Sequence, residues 1–147
     1  MSDTGHTVKS YAEEMQSLND DLVKMGSLTE SQLADAMEAV IKLDKESVDK
    51  IVKNDSKINA LRSAIDNQIT TVLVKRAPMA VDLRITISTM KISHDLERIG
   101  DLAKSVAKKV TPLPIDLPDE LVNSLRRLGD LVPVSYTHLT LPTKRIV

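Results

Sequence analysis

The side chains able to do chemistry are few, and most of them are carboxylates. Glu97 and Asp101 stand four residues apart, the spacing that brings two side chains onto one helix face within reach of a shared ion. Asp55 and Asn59 repeat that spacing earlier in the chain and form an oxygen pair of the kind that hard cations and iron accept. Both pairs also have a plainer reading as solvated charge. Asp101 has Lys104 and Asp95 has Arg98 at helical distance, and Asp55 lies beside Lys57 and Arg62. Of the three histidines, His6 and His94 lie in patterned sequence, and His94 reads as a surface residue three positions before Glu97. With no cysteine, a thiolate metal site, a disulfide framework and a cysteine nucleophile are all excluded. No phosphate-cradling glycine loop, nucleophile elbow or HExxH helix is present, so nothing argues for an enzyme. A carboxylate di-metal enzyme would need Glu-x-x-His pairs, and Glu97 is followed at that distance by Gly100.

The elements that must position these residues are helices. The chain has 147 residues with no Trp or Phe and only two Tyr, so its core must be aliphatic. That palette, with 28% charged residues and four glycines, suits a helical bundle. Twenty basic and twenty-one acidic residues nearly cancel, which leaves no broad positive field for nucleic acid or an anionic membrane. No apolar run is long enough to span a bilayer, and the polar start lacks a leader pattern; a cytoplasmic protein without membrane insertion is expected.

Hydrophobic periodicity predicts long helices near 6–43, 45–75 and 78–110, and a shorter one near 117–132. Met15, Leu18, Leu22 and Met25 begin the first stripe, and Leu33, Met37, Val40 and Leu43 resume it. Ser10 with Glu13 and Ser27 with Glu30 both read as capping boxes; one long helix across Gly26 is preferred to two short ones. Asp44 is the expected N-cap of the second helix, Lys75-Arg76 its basic end, and Pro78 the first residue of the third. Tyr11 reads as a half-buried packing residue. Ile85, Ile92, Leu96, Ile99, Ala103, Val106 and Val110 are the expected inner stripe of the third helix. At about 100° per residue, Glu97 and Asp101 then fall roughly 160° from its centre, facing away from the core, while Asp55 sits about 60° off its own stripe. Gly100 in mid-helix allows close approach of a ligand or partner. Thr111-Pro112-Leu113-Pro114 closes the third helix, and Leu121, Leu125, Leu128 and Val132 begin a stripe that is cut short. The fold expected is all-α, a long antiparallel three-helix bundle plus a truncated fourth helix.

Beyond 132 the pattern is lost. Val134-Ser135-Tyr136-Thr137-His138-Leu139 resembles the translated end of a transposase sequencing adapter, with a natural disordered tail as the alternative. Residues 133–147, and with them His138, are therefore set aside as an unpacked, non-native tail.

Two stretches carry a family resemblance. Lys75 to Arg84 reads K-R-A-P-M-A-V-D-L-R, and Asp95 to Asp101 reads D-L-E-R-I-G-D. Both resemble signature stretches of the PhoU family, supported by Met25-Gly26, Gln32 to Ala36, Asn54 to Asn59 and Leu102 to Lys104. The resemblance spans about 6–132. It implies two similar three-helix bundles per chain, with 6–115 the first and 116–132 the opening of the second. It further implies a non-enzymatic, commonly homodimeric cytoplasmic regulator. Such a protein works with the ATPase of the phosphate ABC transporter and a sensor histidine kinase to repress the phosphate-starvation response. Some members bind iron or other divalent metal clusters through E/D-x-x-x-D motifs, which map onto Glu97 and Asp101 and onto Asp55 and Asn59; Asn59 departs from the carboxylate form. Arg98, inside the second stretch, becomes a candidate partner contact. The rival reading is a generic helical scaffold or oligomerisation module without ligand, in which Glu97, Arg98 and Asp101 are replaceable.

Overall fold

The computed structural model describes residues 3–112 and 117–140. Four helices follow in order, α1 (Asp3–Lys42), α2 (Lys45–Arg76), α3 (Ala80–Lys108) and α4 (Asp119–Thr140), with no strand among the described residues. The first three pack pairwise as a bundle, and α4 lies against α1. At 1.5 Å per residue, the 40 residues of α1 span about 60 Å. The helix passes through Gly26 unbroken. Neither serine box caps an end. Ser27 Oγ donates to Val23 O one turn back, and Ser10 Oγ accepts from Arg76 Nη2 at 2.7 Å.

The ends that were legible from local chemistry are built as expected. Asp44 caps α2, accepting from the backbone N–H groups of Glu46 and Ser47. Arg76 at its basic end reaches Glu14 on α1 at 3.0 Å and ties those two ends together. Ala77 closes α2 in the left-handed conformation and donates its N–H to Leu73 O. Pro78 is not the first helical residue, because α3 starts two positions later with Met79 as its N-cap. The fourth helix is longer than expected. It continues through 133–140 instead of ending at 132, so the tail starts helical; residues 113–116 and 141–147, including most of the proline-rich connection and the last of the tail, lie outside the described residues.

The buried positions of α3 are Thr86, Thr89, Ser93, Leu96, Gly100, Ala103 and Ala107, a strict three–four alternation continued by Val110. Leu18, Met25, Thr29, Gln32, Ala36 and Ala39 of α1, and Val48, Ile51, Asp55, Ile58, Ile65, Ile69 and Val72 of α2, follow the same rhythm. A sustained seven-residue repeat of this kind is the geometry of a left-handed supercoiled bundle. Leu96, Ala103 and Val110 of the expected inner stripe of α3 are buried, and its other four residues are out of phase. Ile85, Ile92 and Val106 are exposed, and Ile99 is only half-buried. Each precedes a buried small residue by one position, a rotation of about 100°. The physical reason is bulk: Thr, Ser, Gly and Ala let α3 approach its neighbours closely, whereas an inward row of Ile would hold it away.

Along the bundle axis the core has three apolar clusters, one of them Val40, Val48 and Val110. Leu18, Met25, Ile58, Ile65, Ile69 and Leu96 form one apolar cluster, and Ala36, Ala39, Ile51, Ala103 and Ala107 another. Between them lies a polar layer. No helix among the described residues is long and apolar enough to cross a membrane.

Candidate functional site

The polar layer is where the sequence's candidate residues meet. Gln32 of α1 is fully buried, and its amide joins all three helices. Its Nε2 donates to Asp55 Oδ1 of α2 at 3.0 Å and to the Gly100 carbonyl of α3 at 2.9 Å. Its Oε1 accepts from Asn54 Nδ2 at 3.2 Å. Buried polar groups must be satisfied in this way or cost free energy. Gly100 makes the approach possible: a Cβ there would lie 3.2 Å from Ile58 Cδ1 and 3.5 Å from Gln32 Nε2.

Asp55 is at the centre of the layer, 3% exposed, rather than on the shoulder of its stripe. Its second oxygen accepts from Lys104 Nζ of α3 at 2.6 Å and from Asn59 Nδ2 at 3.3 Å. The same ammonium donates to Asp101 Oδ1 at 2.7 Å. Lys57 and Arg62, the neighbours expected for Asp55, are not its partners. Arg62 instead lies near Asp66, 3.4 Å away, and Glu97, 3.9 Å away.

The shift in phase of α3 moves Glu97 and Asp101 from the outer face to the edge against α2. The Glu97 side chain is 22% exposed and that of Asp101 47%. Burial, then the adjacent Asp101 carboxylate, raises the pKa of Glu97 above the ordinary range. The hydrogen bond from Lys104 holds Asp101 below it. Lys104 is in turn pushed up by its bonds to Asp101 and Asp55. His94 is exposed and points across to Asp66 at 3.3 Å. Arg98 is exposed and makes no ion pair among the described residues; the expected Asp95–Arg98 pair is not formed. Tyr11 is half-buried as expected.

The donor set can be tested against a divalent ion. Asp55 and Asp101 face one another, as a shared cation would require, but the position between them is filled by the Lys104 ammonium. Both oxygens of Asp55 already accept hydrogen bonds, and Asn59 presents its N–H group to Asp55. Among the described residues no group of three or more His, Cys, Asp and Glu is arranged to hold a metal. The residues present fit an ion-paired layer, not a metal centre. The expected Asp101–Lys104 pair is formed, whereas the bond from Lys104 to Asp55 and the linking role of Gln32 had not been read from sequence.

Residues 22–110 match the family model described as PhoU domain, a stretch that contains all three bundle helices' contributions to the layer. The chain belongs to the PhoU family. Both signature stretches lie within the match, so the resemblance read from them holds. The chain is 39% identical over 130 residues to a phosphate-specific transport system accessory protein PhoU homolog of Caulobacter vibrioides (strain NA1000 / CB15N), covering 88% of this chain and 56% of that protein. It is 40% identical over 126 residues to the PhoU homolog of Xylella fastidiosa (strain Temecula1 / ATCC 700964), covering 86% and 52%. It thus spans about half the length of these relatives. The crystal structure of PhoU from Pseudomonas aeruginosa superposes with a TM-score of 0.76 at 30% identity, over 86% of this chain and 61% of that one.

Proposed function

We propose that this PhoU-family chain is a non-enzymatic regulator of phosphate uptake. It acts with the ATPase of the phosphate ABC transporter and a sensor histidine kinase to repress the phosphate-starvation response. The observation that carries the reading is the family match over 22–110, together with relatives named as accessory proteins of phosphate-specific transport. Within that match, α3 divides its labour. Gly100 and Lys104 are engaged in the bundle and Asp101 pairs with Lys104 at its edge, whereas Arg98 is exposed and serves as the contact with a protein partner. Exposed arginines bind partner carboxylates through two parallel N–H bonds, which gives them a large share of interface energy.

Supplying the chain to cells that lack their own PhoU protein, with a reporter of phosphate-starvation genes, tests this. Repression in high phosphate should return with the parent chain and fail with Arg98→Glu; a parent chain without effect overturns the reading. The second reading, a ligand-free oligomerisation module, draws support from the exposed row Val81, Ile85, Ile92, Leu102 and Val106 on α3. It predicts that changes at Glu97, Arg98 and Asp101 leave the reporter as the parent does.

A further inference from the structure

We propose that an outer seam of α3 is the docking face for an amphipathic helix of a partner protein, apolar along one stripe and acidic along its flank. The seam copies the inner one at a displacement of one residue. Ile85, Ile92, Ile99 and Val106 recur every seven positions, each just before the buried Thr86, Ser93, Gly100 and Ala107. Val81, Ser88, Asp95 and Leu102 fill the alternate positions, so the steps run four, three, four, three over 81–106. That alternation is a coiled-coil seam, and a row of β-branched residues at one of its two positions packs well against a neighbouring helix. α3 thus carries two seams about 100° apart, and the bundle fills the first. In the second, Ile99 is half-buried, while Val81, Ile85, Ile92, Leu102 and Val106 are between 38% and 66% exposed. The fourth helix lies against α1 and leaves this row open.

Charge selects the occupant. Arg84, Lys91 and Arg98 repeat at the same seven-residue interval, each one position before a β-branched residue of the seam. All three are exposed, and none forms an ion pair among the described residues. The other flank, Thr89, Leu96 and Ala103, is buried in the bundle, so the basic row is the flank a docked helix meets. Flanking charges of this kind set partner choice in helix pairs. A second copy is poorly matched. Laid two-fold against itself, the face sets Arg84, Lys91 and Arg98 against the same row, like charge on like. A different helix with Glu or Asp on its flank answers each of the three cations instead. Asp95 within the seam calls for one Lys, Arg or Asn on that helix, and a polar seam residue fixes register. Copies of the isolated chain self-associate through the aliphatic row only while no better-matched helix is present. Arg98 thereby gains an acidic counterpart, which rests on its reading as a protein contact.

Two peptides of about four heptads, with Leu and Ile in the seam and either Glu or Lys on the flanks, are suitable probes. Their binding to the 147-residue chain is followed by fluorescence anisotropy. The Glu-flanked peptide should bind at least about tenfold more tightly at low salt and lose most of that advantage at high salt. This comparison uses the parent chain and needs no variant to fold. Arg84→Glu/Lys91→Glu/Arg98→Glu should reverse the preference, and Ile92→Asp should abolish binding of both peptides, each with the parent's far-ultraviolet circular dichroism. In sedimentation, the Glu-flanked peptide should convert self-associated chain to a one-to-one complex. Equal binding of the two peptides, or a preference unmoved by the triple reversal, overturns the proposal. So does self-association that resists the peptide, which makes a second copy the occupant. A chain that represses the reporter yet ignores flank charge overturns the partner's acidity alone. A chain that prefers the Glu-flanked peptide yet leaves the reporter unmoved supports the seam and overturns the functional reading alone.

Discussion

Replacing Gln32 by Leu removes a side chain whose hydrogen bonds join α1 to both α2 and α3, at nearly constant volume. Three hydrogen bonds are lost: to Asp55 Oδ1 at 3.0 Å, to the Gly100 carbonyl at 2.9 Å and from Asn54 Nδ2 at 3.2 Å. The bond to a carboxylate is worth about 1.5–3 kcal/mol and each neutral one about 1 kcal/mol. Asp55 keeps Lys104 and Asn59, which places its loss at the low end. Burying a Leu in place of an amide returns about 1 kcal/mol. The net expectation is a loss of about 2–3 kcal/mol, read as a lower midpoint at unchanged slope in urea unfolding followed by far-ultraviolet circular dichroism. A double-mutant cycle with Asp55→Leu should give a coupling of at least about 1 kcal/mol, because the two partners share a buried bond. A single-variant loss below about 0.5 kcal/mol, the size of an ordinary surface change, would refute the claim that this layer is satisfied and structurally committed.

Other consequences follow from the same geometry. Asp101 has a lowered pKa and Lys104 a raised one, so their pairing stabilises the fold above the usual Asp value of 3.8 and below the usual Lys value of 10.5. That contribution is lost as pH falls through the folded value of Asp101 or rises through that of Lys104, and Asp101→Asn should flatten the acid limb of a melting-temperature profile. Glu97 has a raised pKa, so its stabilising contribution is present below its usual 4.5 and is lost as pH rises through the folded value; Glu97→Gln should raise the melting temperature at neutral pH and change little at acid pH. Gly100→Val should cost about 2 kcal/mol by thermal melting, since even a Cβ would press on Ile58, whereas Ala77→Gly should gain about 1 kcal/mol by relieving a left-handed residue. The exposed Ile85, Ile92 and Val106 should drive self-association at micromolar concentration, and Ile92→Asp should shift sedimentation towards monomer.

Helix number and most boundaries were legible because they depend on local chemistry. Asp44 caps because its carboxylate can reach the next N–H groups whatever the rest of the chain does, and Ala77-Pro78 ends α2 for equally local reasons. The phase of α3 was only partly legible from hydrophobicity, since Leu96 is buried as expected but most other large aliphatic residues are exposed and the rest of the inner row is Thr, Ser, Gly and Ala. That choice depends on how closely α1 and α2 approach, a property of three helices at once. The same 100° difference decided the candidate site. It carried Glu97 and Asp101 to the α2 edge and brought in Lys104, which a charge pattern alone treats as a surface neighbour of Asp101. Asp55 was placed near its stripe but not at its centre because partners far away in sequence, Gln32 and Lys104, make its burial tolerable.

The proposed partner contact through the exposed Arg98 of α3 has a direct test in calorimetric binding of the transporter ATPase to the parent chain and to Arg98→Glu. The account predicts binding at least about tenfold weaker for the variant, a difference of about 1.4 kcal/mol, with an unchanged urea midpoint. Equal affinity for the two proteins would contradict it.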